Sequence, residues 1–187
     1  YTQHMAQFAK FVPLFWKFAL AARVQYGAVT SPKGDNRILL SDRFTPGGTA
    51  YDGIVRGYDD GSLTPDSIVI DPDSVFLVDT LANDTTEFAS VPFYSRVRGR
   101  YMFVTNLELQ FPIAEQQLYG LIFLDAGNSW LNREDILDKL YKGVGVGFRI
   151  SVPGIGTIGF DFAYPLDTAR DQDKKWKPHF QIGTTFK

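Results

Sequence analysis

R-Y-M-F-V-T-N-L-E-L-Q-F, Arg100 to Phe111, alternates residue by residue between two kinds of surface. Tyr101, Phe103, Leu107, Leu109 and Phe111 fall on one side, and Arg100, Asn106, Glu108 and Gln110 on the other. A period of two is that of a strand, whose successive side chains point to opposite faces; a helix would scatter these residues around its circumference. The same beat continues outward from this stretch. Upstream, Trp16, Phe18, Leu20, Ala22, Val24 and Tyr26 oppose Lys17, Ala19, Ala21, Arg23, Gln25 and Gly27. Downstream, Val144, Val146, Phe148, Ile150 and Val152 oppose Gly143, Gly145, Gly147, Arg149 and Ser151. Ile158, Phe160, Phe162 and Tyr164 then oppose Gly159, Asp161 and Ala163, and Phe180, Ile182 and Phe186 oppose Gln181, Gly183 and Lys187. Leu118 to Asp125 is more apolar on both faces, and residues 3–12 alternate poorly. The reading is all-β, with about seven strands.

A chain of 187 residues with 44% hydrophobic residues can bury an ordinary core, so composition says only that it folds. Aromatic residues make up 15% and the 17 glycines concentrate in and beside the apolar runs, which favours strands. A formal charge of -2 provides no basic stripe for phosphate and excludes nucleic acid as a partner class. With no cysteine there is neither a disulfide framework nor a thiolate metal site. No apolar run reaches the roughly 18 to 20 residues of a membrane helix. Any membrane contact is therefore made by strands.

The connections point to such a contact. Short turns fall at V-P-L-F, P-I-A-E-Q-Q and P-G-I-G, while long polar loops run over about 28–96, 127–142 and 167–176. Transmembrane barrels have this asymmetry, with short periplasmic turns and long extracellular loops, and the strands have the length that crosses a bilayer. A soluble sandwich or lipocalin-like barrel alternates as well. Against it stand large aromatics at the strand ends (Trp16, Tyr26, Tyr101, Phe111, Tyr164 and Phe186) and an opposite face too charged for a packed soluble core. Seven strands are odd in number and fewer than the 8 or more of bacterial single-chain barrels, so the expectation is a part of a larger barrel.

Four segments carry a more specific signal: V-R-G-Y (Val55, Arg56, Gly57, Tyr58), F-L-D-A-G (Phe123 to Gly127), G-F-D-F-A-Y-P-L (Gly159 to Leu166) and F-Q-I-G-T-T-F (Phe180 to Phe186). In this order and spacing they resemble the carboxy-terminal half of the BamA-type outer-membrane protein assembly barrel superfamily. The resemblance covers essentially the whole chain. It implies an antiparallel transmembrane β-barrel in which residues 1–187 supply the last seven of sixteen strands, with a long lumen-directed loop at about 28–96 and POTRA domains upstream. Lys187 departs from the pattern, since many members end on the aromatic itself.

The resemblance also assigns roles. Arg56 of the loop meets the acid of the F-x-D-x-G strand, here Asp125 flanked by Phe123 and Gly127, and the alternation puts Asp125 on one face with Tyr119, Leu121 and Phe123. Guanidinium and carboxylate pair bidentately, and Gly57 lets the loop backbone lie close to the wall. The closing strand, with Phe180, Ile182, Gly183 and Phe186, pairs with the barrel's first strand at a seam able to open and present an edge to a client strand. The implied function is a BamA-like insertase that folds and inserts barrel proteins without covalent chemistry or cofactor. Alternatives are a TamA-like assembly factor, a two-partner secretion transporter or a passive porin-like barrel. Implied partners are outer-membrane lipids, unfolded outer-membrane protein clients and other assembly-complex subunits including lipoproteins; the implied location is the bacterial outer membrane.

Enzyme and metal readings find no footing. His4 and His179 lack a companion at ligand spacing, and no nucleophile elbow or P-loop occurs. Asp59-Asp60 and D-P-D-S (Asp71 to Ser74) lack the spacing of a calcium loop and read as solvated turns.

Overall fold

The computed structural model describes residues 1–32, 38–49, 52–65, 68–71, 93–114, 117–154, 156–169 and 172–183. Pro72, Asp73 and Ser74 of the acidic turn, and Phe186 and Lys187 at the close of the chain, lie outside them. The strands are β1 (Thr2–Pro13), β2 (Ala19–Thr30), β3 (Ile68–Asp71), β4 (Phe93–Arg96), β5 (Tyr101–Ala114), β6 (Leu118–Trp130), β7 (Tyr141–Val152), β8 (Gly156–Pro165) and β9 (Lys177–Ile182). Seven form one antiparallel sheet in the order β1-β2-β5-β6-β7-β8-β9. The fold is all-β and its sheet is open, with β1 and β9 at the edges.

Two faces with different neighbours explain the alternation. Val24, Leu107, Ile122, Leu124, Val146, Phe160, Phe162, Phe180 and Ile182 stand exposed on one face. Their cross-strand pairs are matched in kind: Phe148, Phe160 and Phe180 are register partners on three adjacent strands, with ring centroids 5.2 and 5.0 Å apart. The opposite face carries Arg23, Gln25, Asn106, Glu108, Asp125, Arg149 and Asp161, and these polar residues are the buried ones. An apolar exterior over a charged interior inverts the soluble pattern and fits strands surrounded by lipid.

The strand ends differ from the sequence reading in three places. Trp16, which continues the alternation, lies in the turn between β1 and β2 with φ 61° and 84% exposure; Leu14 N–H donates to Phe18 O across this turn at 2.8 Å. Its apolar character goes with an aromatic group centred on Phe18, whose ring lies 5.6 to 6.0 Å from those of Phe15, Trp16 and Phe111, the kind of girdle found at a barrel's rim. Second, β6 runs on to Trp130, so residues from Gly127 that read as loop are ladder, pairing as far as Tyr101↔Trp130. A-G-N-S-W looks loop-like because it is small and polar, yet Asn128 donates to Lys139 O and Ser129 to Leu63 O, each at 2.8 Å. Third, β3 and β4 form an antiparallel pair inside a segment without a strand signal; they belong to a separate unit, 66–97. The irregular register between Pro112 and Ala114 has a plain cause, since Pro112 has no N–H for the ladder.

The short connections β1–β2, β5–β6 and β7–β8 fall at one end of the sheet by its antiparallel order, and the long connections at the other.

Candidate functional site

Residues 44–49 and 52–63 of the long connection pack on the polar face. Gly48 and Val55 bridge within the segment, with N–H to O distances of 3.0 and 3.1 Å, while Phe44 bridges Gly99. Phe44, Val55, Tyr58 and Leu63 share a buried cluster with Val29, Met102, Val104 and Tyr141. Irregular backbone buried this way needs partners for its carbonyls. The wall provides them: Gln25 donates to Asp52 O, Asn106 to Ile54 O and Ser129 to Leu63 O, all at 2.8 Å. The polar residues of the strands thus hold the loop's backbone as well as its side chains.

Arg56 is fully buried, at 0% exposure. Its Nε donates to Asp125 Oδ2 at 2.7 Å and Nη2 to Oδ1 at 2.9 Å, a bidentate fork, while its own backbone N–H reaches Oδ2 at 3.0 Å. Two more carboxylates face it. Glu108 Oε1 lies 2.8 Å from Nη2 without the alignment of a hydrogen bond, and Asp161 Oδ2 lies 3.4 Å from Nη1. The guanidinium carbon sits 3.5 Å from the centroid of the Phe123 ring, a cation–π contact. Asp161 is gripped in turn by Arg149, at 2.7 and 2.9 Å, and Asn106 bridges Asp125 to Arg23. Among the described residues, the buried charges are three cations (Arg23, Arg56 and Arg149) and three anions (Glu108, Asp125 and Asp161). Without Arg56 the wall would hold an excess of acid. Burial by itself lowers the Arg56 pKa, but the adjacent Asp125, with Glu108 and Asp161, outweighs it, and the net shift is upward.

The three glycines of β7 are the molds of this cluster. A Cβ on Gly143 would stand 1.9 Å from Arg56 O, one on Gly145 2.5 Å from Phe123 Cζ, and one on Gly147 1.9 Å from Asp161 Oδ1. Gly57 is required twice, by its φ of +98° and because a Cβ there would meet Pro165 N at 3.1 Å. Next to it, Tyr58 donates to Lys142 O at 2.8 Å and sets its ring edge-on to Tyr141. Burial raises its pKa, so the phenol remains a neutral donor. A methyl group at Gly143 therefore competes with the loop for space. Gly143→Ala is expected to weaken loop docking by about 1–3 kcal/mol, the usual cost of overpacking, seen as faster proteolytic cleavage within 44–63 while the strands stay folded.

Residues 1–186 match the family model of the Omp85 superfamily domain. The chain belongs to the Omp85 superfamily. Members are outer-membrane β-barrels that insert or transport proteins without being enzymes. A comparison with curated proteins found no match. In this Omp85 chain the structure brings Val55 and Arg56 against the strand that bears Phe123, Asp125 and Gly127, while Gly57 lies against the end of β8 at Pro165 and Tyr58 against the start of β7 at Tyr141 and Lys142; Gly127 makes room for Val55, whose Cγ2 would be 2.9 Å from an added Cβ. Phe180 and Ile182 stand apart from this cluster, 52% and 69% exposed on the apolar face. Gly183 turns the backbone out of the ladder with φ +108° while donating to Thr157 O at 2.7 Å.

Several members of the Omp85 cluster escape a reading by motif. Glu108, Asp161, Arg149 and Arg23 show in the sequence only as charges on one face, and Asn106 only as a polar phase. His179, which finds no metal partner in the sequence, is a hydrogen-bond acceptor for Gly57 N–H at 3.0 Å. Opposed glycines in β7 were the available signal for a close approach, without naming what approaches.

Proposed function

We propose that this Omp85 chain is the carboxy-terminal part of a sixteen-stranded barrel of the bacterial outer membrane, and that it acts as a BamA-like insertase with its seam at β9. The polar face is then the lumen and the exposed face meets lipid. One observation carries the choice of insertase over passive porin: residues 44–49 and 52–63 pack on the polar face and are bonded to it through Arg56, so space that a porin keeps open for solute is occupied. The second support is the edge. Among the described residues β9 pairs only with β8, over the six register pairs from Ile158↔Ile182 to Ala163↔Lys177, the shortest ladder of the seven-stranded sheet. An edge strand with a short ladder is a suitable place to admit another strand. No residue set for bond chemistry is needed, because the accelerating element is geometric.

The proposed partners are outer-membrane lipids, unfolded outer-membrane protein clients and assembly subunits including lipoproteins. The test is reconstitution of the complete protein in liposomes with a denatured model barrel. Insertion of the client, followed by its heat-modifiable mobility, should be faster than in empty liposomes, with little steady ion conductance. Steady conductance without client folding would instead indicate a porin, and passage of a soluble client into the vesicle a secretion transporter. A TamA-like factor would share the insertion and differ in the clients it accepts.

A further inference from the structure

The side chains of β9 that point to the polar face are fastened at three successive positions. Lys177 Nζ donates to Asp59 Oδ1 at 2.7 Å and to Gln172 Oε1 at 2.6 Å. His179 Nε2 accepts the Gly57 N–H at 3.0 Å. Gln181 Nε2 donates to Asp161 Oδ2 at 2.8 Å, the same oxygen that faces Arg56. Two of the three ties run to the V-R-G-Y-D segment itself, and the third runs to Asp161 of β8, the carboxylate that faces Arg56. The loop beneath the strand therefore adds a hold on it beyond its short ladder with β8.

The central tie differs chemically from the others. Lys177 and Gln181 donate, whereas His179 accepts, and an imidazole nitrogen accepts only in the neutral ring with the proton on Nδ1. A proton added at Nε2 sets N–H against N–H, and the buried Gly57 amide loses its acceptor, a cost that water cannot easily offset there. We propose that His179 is a positioning residue for the edge strand: its neutral imidazole clasps β9 to the V-R-G-Y loop through the Gly57 amide, and protonation releases loop and strand together.

The charged groups that act on the ring are Asp161 of β8, Asp60 and Arg56 of the loop and Asp125 of β6, and Asp59, Lys175 and Lys177 line the same cleft. Arg56 opposes a second positive charge, while the three carboxylates attract it. That attraction draws the imidazolium toward the wall and does not restore an acceptor to Gly57. The inference rests on the proposed function only in taking β9 as one side of the seam.

The test is hydrogen–deuterium exchange on the complete protein in lipid nanodiscs, without client, at pH 8 and pH 5.5, which bracket the ordinary histidine value of about 6.5. Peptides covering Gly53–Asp60 and Lys177–Ile182 are followed, with rates corrected for the intrinsic pH dependence of exchange. In the unsubstituted protein both peptides should lose protection together at pH 5.5, by roughly fivefold to tenfold for the Gly57 amide. His179→Gln, whose carboxamide oxygen can accept at either pH, should keep both protected throughout. His179→Ala should leave both poorly protected at both values, with the barrel still heat-modifiable. The same pH step in His179→Gln would overturn the proposal, as would unchanged protection in the unsubstituted protein or loosening of the loop without β9. Because no client is present, coupled loss of protection in a protein that fails to insert clients would leave the clasp standing and remove the insertase reading.

Discussion

Arg56→Ala is expected to free residues 44–63 from the polar face while leaving the seven-stranded sheet intact. The substitution leaves Glu108, Asp125 and Asp161 beneath the loop with only Arg23 and Arg149 to balance them. Breaking a buried ion pair by removing one partner costs on the order of 3–5 kcal/mol, because the remaining charge stays desolvated. Here the protein has an escape, since the loop can lift and admit water, so the cost falls on loop docking. The ladders have no share in it: their hydrogen bonds run strand to strand. Limited proteolysis of the complete protein in membranes should therefore cut within 44–63 rapidly, with heat-modifiable mobility preserved. Arg56→Lys keeps a charge but loses the fork onto Asp125 and should be intermediate. Combining Arg56→Ala with Asp125→Asn restores equal numbers of buried cations and anions, so the double variant should lose less than the sum of the singles. A loop as resistant to protease in Arg56→Ala as in the unsubstituted protein would show that the fork is not what holds it.

The faces of the strands are legible in the sequence because two different surroundings write them: lipid selects Phe160, Phe162 and Phe180, and the charged interior selects Asp161 and Arg149. What alternation cannot express is which charges meet. Phase places Glu108, Asp125 and Asp161 on one side of their strands, but their convergence depends on the register of β5 through β8 and on the depth at which Arg56 enters. The contact between Arg56 and Asp125 spans 69 residues, and only resemblance to a family suggests it. The misread ends have local causes. Trp16 keeps an apolar phase through a turn because it is an interfacial residue, and Gly127 to Trp130 look like loop because their polar groups are satisfied by neighbouring loops rather than by water. His179 is the instructive omission. It has no companions at metal-ligand spacing, and its partner is a backbone N–H that no sequence pattern announces.

The largest expected effect is on activity, and it follows from closing the seam. If clients enter by pairing with an opened edge, a covalent tie between β9 and the strand that faces it in the complete barrel must stop insertion without unfolding anything. These 187 residues contain no cysteine, so a thiol introduced on β9 is unique among them and can bond to a second one on the facing strand, provided the Cα atoms lie about 4.4–6.8 Å apart. Ile182 is the better position on β9. Gln181 is engaged with Asp161, and its replacement would disturb the charge cluster together with the seam; Ile182 is exposed on the apolar face and touches none of that cluster. The decisive measurement is client insertion into liposomes by this pair, oxidised and then reduced. Insertion should fall to the rate of empty liposomes when the bond is complete and return on reduction, with the barrel folded throughout. Full insertion with the seam quantitatively crosslinked would contradict entry through the seam.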